Sequence, residues 1–283
     1  MYSLRGPNPT PSAGILPQLR DTQDAFDSVA ADYDGPRGNN ALIQEMRTEM
    51  WRWLDTVFSS GARLIDIGCG TGLDATRMAR LGHSVAAIDW SAQMVRRTRE
   101  RAARERLTDR VQALALGAHE LERLEGDGAY DGAYSNLGPL NCVPDLAMIS
   151  QQCARLLKPG GVLVFTVIGR VCPWEIAHYL RKGQWSRVKV RYARGVVPVG
   201  MNKHTVWTRY YGPREFYRAF RANFRLVHFR GLCVLAPPPY LTALRDRHPR
   251  WHERLRQFDR IAAGWPLIRG MGDHFLIVMR KRG

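Results

Sequence analysis

Apolar residues along this chain follow two different periods. Short unbroken runs at Leu64 to Ile67, Val85 to Ile88, Val111 to Ala115, Tyr130 to Tyr134 and Val162 to Ile168 read as buried strands. Between and before them the spacing is helical. Ile43, Met46, Met50, Trp53, Leu54 and Val57 form one face of a helix from Asn40 to Phe58. Helices are also expected over Leu73 to Leu81 and, capped by Ser91, over Ala92 to Leu107, with Met94, Thr98 and Ala102 toward the sheet. A further helix carries Leu146, Ile149, Cys153, Leu156 and Leu157 and stops at Lys158-Pro159-Gly160-Gly161. A shorter one, Asp24 to Asp34, places Phe26, Val29 and Tyr33 together. Strands alternating with helices predict an α/β chain built on a mainly parallel sheet.

The first strand ends in a loop that concentrates the candidate chemistry, Asp66-Ile67-Gly68-Cys69-Gly70-Thr71-Gly72. Glycines let a ligand lie against bare backbone, and the loop feeds a helix N-terminus. The second strand ends in Asp89, 23 residues beyond Asp66. An acid at that point of a nucleotide-binding sheet accepts ribose hydroxyls. Dinucleotides and S-adenosylmethionine both fit such a site. Dinucleotide loops follow Gly-x-Gly-x-x-Gly, whereas here the glycines alternate after an acid. Asp66 would repel a pyrophosphate and suits a ligand bearing an ammonium and a sulfonium, so a nucleotide-dependent oxidoreductase is the weaker reading.

The segment resembles the first motif of the class I S-adenosylmethionine-dependent methyltransferases, Asp-x-Gly-x-Gly-x-Gly, and Leu157-Lys158-Pro159-Gly160-Gly161 matches a second phrase of that family. The resemblance covers residues 24–168 and the last strand. It implies a Rossmann-like, seven-stranded, mostly parallel sheet with helices on both faces, the last strand antiparallel, plus lid insertions. Asp66, Gly68, Cys69, Gly70, Gly72 and Asp89 would then bind the cofactor, with Trp90 against the adenine and Met94 beside it. Tyr33 would sit near the methionine end, with Arg37 just beyond, and Asn136 would border the transferring methyl. Relatives carry an aspartate where this chain has Gly117, so the adenine contact would fall to Ala118 or His119. The Ser135-Asn136-Leu137-Gly138 turn lacks the Asp/Asn-Pro-Pro-Tyr pattern of enzymes that methylate base amino groups.

Past Ile168 the resemblance implies one more helix and two strands, for which Pro213 to Phe220, Phe224 to Phe229 and His274 to Arg280 are the candidates. The expected organisation is a flexible leader over 1–23, a cofactor core over 24–168, an inserted lid and acceptor segment over 169–211, core again over 212–230, a second insertion over 231–273 and a last core strand over 274–283. The first insertion is expected to hold a helix around Trp174 to Tyr179 and a hairpin pairing Arg187 to Tyr192 with His204 to Tyr210. The second is expected to hold a helix with Trp251, Leu255, Phe258 and Ala262 on one face.

Composition narrows the setting. The 283 residues carry 42 Lys and Arg against 26 Asp and Glu, a formal charge of +16. Such a balance suits an anionic acceptor, acidic lipid or nucleic acid. An RNA or protein methyltransferase is therefore one alternative, peripheral membrane contact another, and a non-catalytic S-adenosylmethionine-binding regulatory module a third. Five cysteines without paired spacing argue for a reducing, cytoplasmic setting, and no Cys/His spacing suggests a metal. The leading expectation is methyl transfer to a small-molecule acceptor, large, aromatic, lipidic or anionic, at oxygen first and otherwise at nitrogen or carbon. His178, His204 and Tyr210 are the candidate catalytic groups because they lie in the first insertion, with Arg170 as an orienting residue.

Overall fold

The computed structural model describes residues 16–36 and 38–283. In chain order the elements are α1 Leu16–Val29, α2 Ala41–Val57, β1 Arg63–Ile67, α3 Leu73–Arg80, β2 Ser84–Asp89, α4 Ala92–Arg104, β3 Val111–Ala115, β4 Tyr130–Ser135, α5 Leu146–Leu156 and β5 Leu157–Ile168. They continue with α6 Pro173–Arg181, α7 Trp185–Val188, β6 Val197–Met201, β7 His204–Thr208, α8 Pro213–Phe220, β8 Phe224–Leu232, α9 Thr242–Arg247, α10 Pro249–Ala262 and β9 His274–Lys281.

Seven strands form one sheet in the order β3-β2-β1-β4-β5-β9-β8. Strands β1 to β5 run parallel, and β9 is antiparallel to both of its neighbours. The order reverses at β1, which pairs with β2 on one side and β4 on the other. That switch opens a crevice at the carboxyl ends of the strands, where open α/β sheets bind ligands.

Alternation along each strand feeds two apolar layers. Ile65 and Ile67 of β1 face a core with Ile88, Ile149, Leu156, Phe165, Phe216 and Phe220, whereas Leu64 faces Met46, Met50, Leu54 and Met78 across the sheet. In the first layer the Phe216 ring stacks on Phe220 at 5.1 Å and meets Tyr211 and Phe275 edge-on at 5.7 and 5.9 Å. Truncating a fully buried aromatic leaves a cavity its neighbours fill only in part. Phe216→Ala is accordingly expected to cost about 3–5 kcal/mol, read from the midpoint of urea unfolding.

Three expectations need correction. Residues 16–23, read as leader, form the first turns of α1; Pro17 lies in the first turn, which tolerates its missing N–H, and Leu19 is buried. Residues 1–15 of that leader lie outside the described residues. The hairpin uses 197–201 rather than 187–192, because Asn202 and Lys203 take the left-handed φ values of a tight two-residue turn, 46° and 66°. The alternating 187–192 stretch is instead two short helical turns that place Arg191 in the interior. Finally, Leu157 belongs to β5, pairing with Tyr130, and the Pro-Gly-Gly phrase is part of that strand's irregular start.

Candidate functional site

A cavity of about 300 Å³ opens at the strand ends around the β1 switch point. Its floor is the loop after β1, with Gly68 and Gly70 at φ values of 75° and 55°. A Cβ on Gly68 would fall 2.3 Å from the Pro139 side chain, so only glycine closes the β1 and β4 loops this tightly. At Gly70 a Cβ would reach nothing nearer than Tyr33 at 3.8 Å, so the bare backbone leaves room above the loop.

Four of the loop's amides are already engaged. Gly68 and Cys69 donate to the Ile88 carbonyl at 2.8 and 2.9 Å, Gly70 donates to Asp89 Oδ2 at 2.9 Å, and Gly72 donates to the Cys69 carbonyl at 3.0 Å. A pyrophosphate cradle needs those donors free. This loop presents a shaped surface and a carboxylate, not an anion nest.

Asp89 is held from both sides: Oδ1 accepts from the Ser91 amide at 2.9 Å while Oδ2 takes Gly70. Burial pushes its carboxyl up to about 6, and the two amide hydrogen bonds oppose that rise. A carboxylate has about four lone-pair directions, so two remain for hydroxyl donors. Beside it, Trp90 lies against His119 with ring centroids 3.8 Å apart and planes tilted by 36°, and burial lowers His119 to about 4, leaving its ring neutral at physiological pH.

At the other end stands a buried polar cluster. Arg47 of α2 pairs with Asp74 in the first turn of α3. Asp74 also accepts from Trp51 Nε1 at 2.7 Å and Asn136 Nδ2 at 3.1 Å. Thr166 donates to Asn136 Oδ1 at 2.9 Å and accepts from the Leu137 amide at 2.6 Å, fixing the β4 loop. Arg47, Asp74, Asn136 and Tyr33 all line the cavity.

The roof comes from segments outside the sheet. Leu19, Thr22, Gln23 and Phe26 of α1 face Val199, Met201, Val206 and Thr208 of the β6–β7 hairpin across the opening. Trp207 ties the two together: its amide donates to Thr22 Oγ1 at 3.1 Å and its indole to Asp21 at 2.9 Å. Gln23 reaches down to the Trp90 carbonyl at 3.2 Å.

Of the residues expected at the site, Tyr33, Gly68, Cys69, Gly70, Asp89, Trp90, Met94, Ala118, His119, Asn136 and Tyr210 line this cavity. Arg37 lies outside the described residues. Gly72 sits behind the loop against Thr98, and Asp66 is beneath it. Strand alternation turns Asp66 with Leu64 toward the α2–α3 layer, where burial and the charge of Asp74 hold its carboxyl well above the usual range. His204 is exposed at the hairpin tip, and His178 lies on α6 with its ring against Tyr179 and Tyr240; neither reaches the cavity. Arg170 pairs with Glu215 at 2.9 Å, also outside it. Tyr210 is present, but burial pushes its phenol up to about 12, so at neutral pH it offers a hydroxyl rather than a phenolate.

Arg47 and Asp74 were not anticipated. Arg47 sits four residues after Ile43 and three before Met50, a charge inside an apolar stripe, and that was the available signal.

Comparison with known proteins agrees with this geometry. A family described as Methyltransferase domain matches residues 64–161, which carry the loop, Asp89, Asn136 and the start of β5. Residues 64–161 form a methyltransferase domain. A ubiquinone biosynthesis O-methyltransferase of Xanthomonas oryzae is 34% identical over 172 residues, 58% of this chain. The match spans 66% of that relative, just under two thirds of its length. Among solved structures, the 1,6-didemethyltoxoflavin-N1-methyltransferase of Burkholderia thailandensis, with bound 1,6-didemethyltoxoflavin and S-adenosylhomocysteine, is similar over all of this chain and 96% of its own at a TM-score of 0.58 and 18% identity. The geranyl diphosphate C-methyltransferase of Streptomyces coelicolor A3(2) is similar over 96% of this chain and 100% of its own, with a TM-score of 0.59 and 16% identity. At those identities the two structures establish the shared fold.

Proposed function

We propose that the chain transfers the methyl group of S-adenosylmethionine to a small, largely apolar acceptor, at oxygen in the first instance. The single observation that carries this reading is Asp89. It is a carboxylate at the tip of β2, braced by the Gly70 and Ser91 amides and facing a cavity with free acceptor capacity. Its two remaining lone pairs suit vicinal ribose hydroxyls. The Trp90–His119 pair offers an aromatic face to the adenine, and Arg47 and Asp74 offer one charge of each sign to the carboxylate and ammonium of the methionine end. The bound cofactor supplies an activated sulfonium methyl whose loss leaves a neutral thioether.

The chain's own contribution is placement and exclusion of water. Val199, Met201, Val206, Val143 and Ile168 give the remaining wall an apolar character suited to an aromatic or lipidic acceptor. On that wall the groups that could accept a proton are Tyr210 and Cys142, and burial holds each at about 12. The acceptor therefore enters as its own anion or with a free lone pair. At saturating S-adenosylmethionine, an O-methylation rate that follows the acceptor's own ionisation, with no further group titrating between about pH 7.5 and about pH 9, is the expected profile. The named activity of the Xanthomonas relative favours oxygen over nitrogen or carbon.

Calorimetric titration with S-adenosylhomocysteine followed by a screen of apolar phenols and quinols tests the proposal. Binding together with S-adenosylhomocysteine release by any acceptor supports it; binding without turnover across the screen would favour a regulatory module instead. The affinity also has a pH signature. The ribose hydroxyls need an ionised Asp89, so affinity falls as pH drops through about 6, by about tenfold between about pH 7.5 and about pH 5. An Asp89→Asn variant should bind weakly with a much flatter profile over that range.

A further inference from the structure

Outside the cavity the largest unexplained feature lies on the second insertion. Helix α10 is fixed to the body by its inner face. His252 meets Glu45 of α2 at 3.1 Å, and Asp259 accepts from the amides of Val234, Leu235 and Ala236 at 3.1, 2.8 and 3.0 Å. Those bonds set the helix's rotation, so its outward stripe is a defined surface.

That stripe is Arg250, Arg254, Phe258 and Ile261, spaced four, four and three residues apart. The turn that follows adds Trp265 and Leu267. Phe258, Ile261, Trp265 and Leu267 are 61, 68, 57 and 90% exposed, a concentration of large apolar side chains that a solvated face does not need. Arg250 and Arg254 precede them on the same stripe, and Arg260 lies next to Ile261 in the chain. The nearby acids are already paired, Glu253 with Arg256 at 2.7 Å and Asp246 with Arg245 at 3.2 Å. Among the described residues, Arg247, Arg250, Arg254 and Arg260 have no ion pair.

We infer that this α10 face is a peripheral docking surface for an anionic lipid bilayer. A fixed helix lying flat, with aromatic and aliphatic side chains directed outward and cations at their edges, matches the geometry of interfacial binding. The apolar side chains enter the boundary between headgroups and acyl chains, and the arginines engage phosphates. Charge selects among the possible occupants. A second copy of a chain with formal charge +16 would bring like arginines together. Nucleic acid would satisfy the arginines and stack on the rings, yet it has no use for Ile261 and Leu267. No helix among the described residues is long and apolar enough to cross a membrane, so the contact is with the surface.

Co-sedimentation of the full chain with vesicles tests this. Phosphatidylcholine vesicles containing about one quarter phosphatidylglycerol should retain the protein, and pure phosphatidylcholine should retain about tenfold less. The pair Ile261→Asp and Leu267→Asp should lose about tenfold on the anionic vesicles, and the pair Arg250→Gln and Arg254→Gln should lose a comparable amount. Unchanged thermal midpoint and S-adenosylhomocysteine affinity would show that the variants fold. Should the aspartate pair fail to fold, quenching by bromine-labelled acyl chains reports on the wild type: the quenched fraction should fall in Trp265→Phe. Three results would overturn the inference: no binding to anionic vesicles, binding indifferent to the apolar substitutions, or loss by those substitutions of a lipid-free dimer or of RNA binding instead.

Discussion

Asp89→Ala is expected to weaken S-adenosylhomocysteine binding by about two to four orders of magnitude while leaving the chain folded. Each hydrogen bond from a hydroxyl to a carboxylate contributes about 1.5–3 kcal/mol, and two are removed together. The substitution also frees the Gly70 and Ser91 amides, which now bond to Asp89. Both can turn to water in the open cavity, so the fold bears little of the loss. Burial already disfavours the ionised Asp89, and removing it relieves that cost. The expected pattern is therefore a ligand affinity reduced at least a hundredfold with a ligand-free melting temperature equal to or above that of the wild type. Circular dichroism melting beside calorimetry separates this from a variant that simply unfolds.

The second large effect lies away from the cavity floor. Arg191 is buried where the first insertion meets the start of β9, and it is the centre of a charged cluster. Its guanidinium donates to Glu175 at 2.9 and 2.6 Å, to Asp273 Oδ1 at 2.6 Å and to the Gly169 and Asp273 carbonyls at 2.9 and 3.1 Å. It also lies over the Tyr210 ring at 5.1 Å, so it backs one wall of the cavity. Arg191→Met keeps the bulk and removes the charge, leaving Asp273 and Glu175 facing each other. Breaking a buried pair from one side typically costs about 3–5 kcal/mol, and a loss of that size in urea unfolding is expected.

The pH dependence carries the same cause. In the wild type Arg191 and His274 hold the Asp273 carboxyl well below the usual carboxylate range. A carboxyl lowered on folding contributes stability that is full above its unfolded value, about 3.9, and is lost only as pH falls through the lower folded value. Arg191→Met removes the larger of those two charges and leaves only His274 beside the carboxyl. The stability gap between variant and wild type should be widest at neutral pH and should narrow as the pH falls below about 4. A gap constant across that range would mean that lost packing, not lost charge pairing, governs the variant.

Much of the sheet was legible because its strands are buried on both faces and therefore read as unbroken apolar runs. The loop after β1 and Asp89 were legible for a different reason: a ligand-binding turn needs specific residues at fixed spacing, and the spacing is visible in one dimension. The roof was not. Leu19, Thr22 and Gln23 follow a proline-rich stretch, and nothing local reveals that Trp207, far along the chain, will hold their helix in place. The hairpin was misplaced because Arg187 to Tyr192 alternates as well as Val197 to Met201 does. What separates them is tertiary, since Arg191 finds Glu175 and Asp273 inside the fold and cannot lie on a solvated strand. Asp66 follows the same lesson. Its motif was plain, yet the register of β1 turns its side chain beneath the floor beside Tyr134, its β4 register partner, rather than into the cavity.

The histidines show where position along the chain misleads. His178 and His204 fall in the insertion that supplies part of the roof, but one rests on α6 against Tyr240 and the other stands at a solvent-facing turn. With Tyr210 held neutral, the proposed reaction leaves proton loss to the acceptor.

A crystal structure of the chain with S-adenosylhomocysteine decides whether Asp89 holds the cofactor. Ribose hydroxyls are expected within hydrogen-bond distance of both Asp89 oxygens, the adenine against Trp90 or His119, and the sulfur directed toward the wall carrying Tyr210 and the β6–β7 hairpin. A ligand bound elsewhere, or one whose ribose avoids Asp89, would contradict this assignment.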